Sequence, residues 1–169
     1  MNNIIIKNIV RFLFLVAIQI FILNQMHFFG YLTPFIYILF IIILPFQTNK
    51  LLVLLLAFAT GLTIDIFGDT PGLHTSATVF MAFVRPALLS GLFGKLDFGQ
   101  NEEPGIKKLG FGGFLRYVIV LVIIHHFSLF LLETLDFNRF FDILKTTFLT
   151  SLLSISLIYI YIFLFTRNK

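Results

Sequence analysis

Hydrophobic residues along this 169-residue chain fall into six long runs, and the polar and turn-forming residues collect in the breaks between them. The runs are Ile4 to Leu23, Phe29 to Phe46, Leu51 to Phe67, Pro71 to Phe93, Phe114 to Leu135 and Phe140 to Phe165. Each approaches the ~20 apolar residues that a helix needs to cross a hydrocarbon layer of about 30 Å. Backbone groups surrounded by lipid must be paired within their own segment, so the expected element in every run is a helix. The two-residue alternation of a membrane β-strand is missing. The second run is bracketed by Pro34 and Pro45, and the fourth contains Arg85-Pro86, where a kink is expected. The pattern predicts an all-α, polytopic integral membrane protein, a single domain of six transmembrane helices over residues 1–169.

Composition excludes the alternative of a water-soluble globule. The chain is 59% hydrophobic and only 12% charged, with a mean hydropathy of +1.01. A soluble fold of this size has too little polar surface to cover so much apolar area. The absence of cysteine rules out disulfide and thiol chemistry. The N-terminal stretch MNNIIIKNIVRFLFLVAIQIFIL begins like a signal peptide. It lacks a small-residue cleavage site, and its apolar run is too long, so it reads as a retained anchor.

Charge then sets the expected orientation. With six spans, Lys7, Arg11, Lys50, Lys95, Lys107, Lys108, Arg116, Arg167 and Lys169 share one side, while only Arg139 and Lys145 lie on the other. Cations concentrate on the cytoplasmic side of membrane proteins, so both termini are expected to be cytoplasmic. The net charge of +4 is modest and spread over the ends of apolar runs. That pattern fits membrane lipid as the surroundings and argues against nucleic acid as a partner. The longest break, from about residue 94 to 113, is the cytoplasmic loop GKLDFGQNEEPGIKKLGFGG. Its composition reads as a flexible connector, or as a docking site for a cytoplasmic partner.

The stretch GLTIDIFGDTPGLHTSA, Gly61 to Ala77, gathers most of the unusual residues at one outer corner. Asp65 falls near the end of the third run, and Gly68-Asp69-Thr70-Pro71-Gly72 forms the turn. Thr70 is a suitable N-cap and Pro71 a suitable first helical residue. A carboxylate at a membrane boundary is costly, so Asp65 is expected to face protein. Its expected partners are the free N–H groups that open the fourth helix, and His74. Arg85 lies roughly 16 Å deeper than His74 at 1.5 Å per residue, so a direct Asp65–Arg85 pair requires a tilted corner. Otherwise Arg85 is expected to snorkel toward the headgroups. Ala57/Gly61 and Ala87/Gly91 are small-residue pairs of the kind that permit close helix contact. Asp65, Asp69, Thr70, Pro71, Gly72, His74, Arg85 and Pro86 are therefore the candidate interface or polar pocket.

Other reactive side chains form no catalytic pattern. His125 and His126 are adjacent, so they point about 100° apart on a helix and are expected to serve packing and hydrogen bonding within the bundle. Ser151, Ser154 and Ser156 read as helix-to-helix glue. Glu133, Asp136, Arg139 and Asp142 read as a solvated turn. No nucleophile elbow, metalloprotease motif or phosphate loop is present. The expectation is a protein that is not an enzyme and has no metal or cofactor.

The segment GLTIDIFGDTPGLHTSATVFMAFVRP resembles the corresponding segment of the MreD family of rod shape-determining membrane proteins. The resemblance lies in Gly61-Leu62, Asp65, Thr70-Pro71-Gly72-Leu73-His74, Ala77, Ala82-Phe83 and Arg85-Pro86, with PFIYILFIIILPF, Pro34 to Phe46, and the six-span layout. It is strongest from Pro34 to Pro86 and thin after Gly94. It implies a non-enzymatic scaffold subunit of the cell-elongation machinery in the bacterial inner membrane. MreC-like and MreB-like proteins and peptidoglycan synthases are then the implied partners. That family's fold is also said to resemble the substrate-binding membrane subunits of vitamin-type transporters. The competing expectation is such a small-solute carrier, using Asp65, His74 and Arg85 as polar contacts.

Overall fold

The computed structural model describes residues 2–26, 28, 32–94, 99 and 102–166. Lys95, Arg167 and Lys169, used above for orientation, and Phe29, the start of the second run, lie outside the described residues.

Five helices are long and apolar enough to span a membrane. They are α1 (Asn2–Phe21), α3 (Lys50–Gly68), α4 (Leu73–Phe93), α5 (Ile106–Thr134) and α6 (Phe140–Thr166). One four-residue helix, α2 (Leu39–Ile42), lies between the first two. The helices α3, α4, α5 and α6 pack on one another in sequence, and α1 packs against α3. Phe14 on α1 meets Tyr161 and Phe165 on α6, which closes the ring of helices. The side-chain distribution is inverted relative to a soluble protein. Leu13, Leu55, Phe83, Phe148 and Phe163 point outward, while Gln19, Thr60, Thr78, His125 and His126 are enclosed. Hydrophobic surface of this extent is stable only in an apolar solvent, as expected for a multi-pass membrane protein.

The second run departs from expectation. It forms no long helix; only Leu39–Ile42 is α-helical, and residues 33–36 precede it without regular structure. Three features oppose a helix there. Pro34 has no N–H and restricts the residue before it, and Pro45 closes the far end. Ile, Phe and Tyr dominate the interval, and they lose rotamer freedom in a helix. The run is also apolar on every side, which suits burial among other elements. Every residue from Phe35 to Leu44 is in fact buried. The segment forms a central strut enclosed by the five helices and antiparallel to α1. Gln19 contacts Pro34 and Ile36 at one end, Phe12 stacks edge-on against Phe40 at 5.4 Å, and the Phe46 N–H reaches Glu102 O at 2.9 Å at the other.

An unwound backbone at this depth needs partners supplied by protein. Four neighbours provide them. Ser154 Oγ accepts from the Phe35 N–H at 2.9 Å, and Gln19 Oε1 accepts from the Ile36 N–H at 2.8 Å. Gln19 Nε2 donates to Pro34 O at 3.2 Å. Tyr117 donates to Ile42 O at 2.9 Å, and Arg85 donates to Leu44 O.

The described part of the loop after α4 carries helix and ion pairs. Helix α5 begins at Ile106, eight residues before the expected Phe114, and bends at Gly110, whose φ of 68° lies in the left-handed region. Glu103 holds Lys7 at 2.7 Å and Arg11 at 3.1 Å, and Glu102 holds Lys108 at 2.7 Å. The carboxyl of Glu103 is raised by partial burial, but hydrogen bonds and charge from Arg11 and Lys7 outweigh that and hold it below its ordinary value. The loop thus ties α1 to α5 and to the end of the strut. Helix α4 runs unbroken through Pro86.

Candidate functional site

Three polar assemblies lie inside the helical ring. The first is the corner between α3 and α4. Asp65 Oδ1 accepts from the Thr70 hydroxyl at 2.6 Å and the His74 N–H at 3.0 Å. Asp65 Oδ2 accepts from the Thr75 N–H at 2.8 Å and the Thr75 hydroxyl at 2.5 Å. The carboxylate thereby caps α4 from the neighbouring helix, where free N–H groups carry partial positive charge. This matches the free N–H groups expected as partners of Asp65; His74, the other expected partner, reaches it only through its backbone N–H, while its ring bonds Tyr37. Thr70 and Pro71 act differently from expectation. Helix α4 starts at Leu73 with Gly72 as its N-cap, at φ 80°, so Pro71 lies outside the helix and Thr70 serves Asp65 instead. The cap comes from Asp65 because it satisfies two N–H groups at once, where a threonine satisfies one. Asp69 ends α3 in the left-handed region at φ 53°. Close approach of the two helices depends on Gly61, whose missing side chain leaves room for the Thr75 backbone; a Cβ there would lie 2.8 Å from His74 O. The Ala57/Gly61 pair therefore does face a helix. Ala87 and Gly91 are exposed, and no neighbour approaches Gly91 among the described residues.

The second assembly is centred on Tyr37 of the strut. Its hydroxyl lies 3.0 Å from His74 Nδ1, 2.8 Å from His125 Nε2 and 3.4 Å from Thr78 Oγ1. Phe35 packs edge-on against His74 at 5.1 Å and beside His126 at 5.5 Å. His126 bonds to Val122 O at 2.8 Å and to Ser154 Oγ at 3.0 Å, so both histidines of the pair have hydrogen-bonded roles and Ser154 serves as the expected glue. The hydroxyl of Tyr37 thus bridges His74 of α4 and His125 of α5. His125 Nδ1 is buried with no partner among the described residues.

The third assembly surrounds Arg85. It does not pair with Asp65 and does not snorkel, being only 2% exposed. Its Nε donates to Tyr117 Oη at 2.9 Å and its Nη2 to Leu44 O. Arg85 points inward because the strut ends beside it with carbonyls that lack helical partners.

Two cavities adjoin these groups. One, of ≈ 590 Å³, opens beside His74 and is lined by Thr70, Phe130, Glu133, Asp136, Arg139 and Asp142, among others. Glu133, Arg139 and Asp142 are exposed, as expected of a solvated turn, and they also border this cavity, with Arg139 and Asp142 paired at 3.6 Å. The other, of ≈ 990 Å³, lies at the opposite end between the start of α3 and the end of α4, with Arg85 in its wall. Asp65, with its four donors, is not among the residues lining either cavity. Pro86 lines the second.

Sequence reasoning missed Tyr37, Tyr117 and Gln19. Tyr37 sits between two prolines in an otherwise apolar run, and Gln19 is the amide within the far half of the first run. Those positions were the available signals. Comparison with known proteins finds no matching family model, no matching curated protein and no matching solved structure.

Proposed function

We propose that the chain is a non-enzymatic scaffold subunit of the rod-shape machinery in a bacterial inner membrane, of the MreD kind. MreC-like and MreB-like proteins and peptidoglycan synthases are its proposed partners. One observation carries the reading. The residues that bear the resemblance form connected structure: Pro34 to Phe46 is the strut, and Gly61, Asp65, the Thr70–His74 turn and Arg85 hold the helices against it. Resemblance that falls on mutually dependent positions is more informative than the same number of scattered apolar matches.

Counting the strut as a crossing makes six passes in all. An even number puts both termini on one side, and Lys7, Arg11, Lys50, Lys107 and Lys108 make that side cytoplasmic. The polar groups are engaged in holding helices and strut together, leaving the outward apolar faces of α1, α3 and α6 for partner helices. Depletion in a rod-shaped host is expected to give rounded cells, with an MreC-like protein co-purifying from detergent. Cells that stay rod-shaped on full depletion overturn the proposal.

A second reading, a small-solute-binding subunit, is favoured by the ≈ 590 Å³ cavity beside His74. Of its three expected contacts only His74 lines that cavity. Ligand-dependent thermal stabilisation, lost on His74→Ala, is its distinguishing outcome.

A further inference from the structure

Arg85 is a buried cation with no anion beside it among the described residues. The ion pairs among the described residues are Lys7–Glu103, Arg11–Glu103, Lys108–Glu102 and Arg139–Asp142, and Arg85 enters none of them. Its bonds go to a carbonyl and a phenol, both neutral. Holding a full charge in a low-dielectric interior with only neutral partners is costly, and an ionisable side chain enclosed in a membrane domain calls for a named counter-group.

The surroundings say what kind. Arg85 lies in the wall of the ≈ 990 Å³ cavity, whose lining contains no acidic residue among the described residues. Lys50 is also in that lining, as is Asn49, which caps α3, so the N-terminus of α3 opens there with its partial positive charge. Two cations and a helix N-terminus therefore border one space. Leu54, Phe83 and Pro86 supply apolar wall, and Phe83 is exposed on the lipid-facing surface. Depth agrees with a headgroup position. Arg85 bonds Leu44 O, and two residues later the Phe46 N–H bonds the loop residue Glu102. The guanidinium thus lies level with the end of the strut and with Lys50 at the start of α3, a level at which a headgroup phosphate can reach it.

We propose that this cavity binds the phosphate group of a membrane lipid headgroup, with Arg85 as its buried counter-ion, Lys50 as the second cation and the acyl chain lying along Phe83. Arg85 then has two tasks: one edge of the guanidinium braces the strut and the remaining donor capacity faces the phosphate. A guanidinium suits this double role because its five N–H donors are fixed in a planar fork. The proposal rests on membrane embedding alone and is independent of the scaffold reading, which the cell-shape experiment tests separately.

The test is thermal unfolding of the purified full-length chain in a neutral detergent with three additives. These are dioleoyl phosphatidylglycerol, a diacylglycerol with the same chains and no phosphate, and inorganic phosphate. Phosphatidylglycerol is expected to stabilise the wild type in a saturable way. Diacylglycerol is expected to do nothing, and inorganic phosphate to need at least tenfold higher concentration. Arg85→Gln is expected to lower the apparent lipid affinity at least tenfold and Lys50→Gln severalfold. Because Arg85→Gln also disturbs the strut, Ala87→Trp provides a second variant: Ala87 is exposed and lines the cavity, so the indole obstructs the space beside Arg85 and replaces neither of the guanidinium's bonding partners. It is expected to lose the lipid response while unfolding at the wild-type temperature without lipid. Equal stabilisation by diacylglycerol, equal potency of inorganic phosphate, or an unchanged lipid response in Ala87→Trp each overturns the proposal.

Discussion

Asp65 and Arg85 are both buried ionisable groups in this bundle, and they are held in opposite ways. Asp65 receives four hydrogen bonds from residues five to ten positions away, and its charge meets the positive end of α4. Arg85 receives no opposite charge from the described residues and reaches partners 32 and 41 positions away. The first is a self-contained corner that two helices and a turn can build alone. The second exists only once α4, α5 and the strut are assembled. The difference teaches that a buried charge compensated by its sequence neighbours can be built locally, whereas one without a local counter-charge depends on the assembled fold.

The comparison can be broken by substitution, with the largest effect at the corner. Asp65→Ala strands two N–H groups and two hydroxyls, and is expected to cost about 3–5 kcal/mol in reversible unfolding from detergent micelles. Gly61→Ala forces α3 away from the Thr75 backbone and is expected to cost about 2–3 kcal/mol in the same assay, in the upper range for overpacking. Arg85→Gln removes an uncompensated charge along with its two bonds, so the loss of bonding is partly offset by relief of desolvation. The net cost is expected to be near ~1 kcal/mol without added lipid. A larger loss for Arg85→Gln than for Asp65→Ala reverses the comparison.

The smallest expected effect is at Glu103, a partly exposed clamp on Lys7 and Arg11 whose contribution is on the order of 0–1 kcal/mol. Its folded-state pKa is depressed below 4.5, so its contribution is fully present above that value. The contribution is lost as pH falls through the folded pKa. Glu103→Gln is expected to lower neutral-pH stability by that small contribution and to flatten the acid limb below pH 4.5 by the same amount. An acid limb as steep as wild type in that variant assigns the transition to another group.

How much was legible depended on whether the relevant partner was near in sequence. The binding of Asp65 to the first N–H groups of α4 was readable because a carboxylate, a turn and a helix start stood within ten residues. The role of Thr70 was misread because a hydroxyl in that turn can serve either the helix or the carboxylate, and spacing alone does not rank the two. The Ala57/Gly61 and Ala87/Gly91 pairs look alike in sequence, yet only the first meets a helix, since which face of α4 is covered depends on the placement of its neighbours. Composition gave no sign of the ion pairs that Glu102 and Glu103 of the Gly94–Gly113 loop find.

By itself the sequence determined the apolar solvent of this protein, the position of five long helices and the chemistry of the Asp65 corner. Run length, turn residues and caps are local properties, and local physics is enough to specify them. Only the tertiary structure decided that Pro34 to Leu44 is a strut helical only over Leu39–Ile42, that Tyr37 joins His74 to His125, and that Arg85 faces a cavity with no carboxylate beside it among the described residues. An unwound backbone at membrane depth is allowed wherever some side chain completes its hydrogen bonds, and that side chain can stand anywhere along the chain. For Phe35 it is Ser154, 119 residues away, brought within 2.9 Å by the packing of helices that the intervening sequence does not reveal.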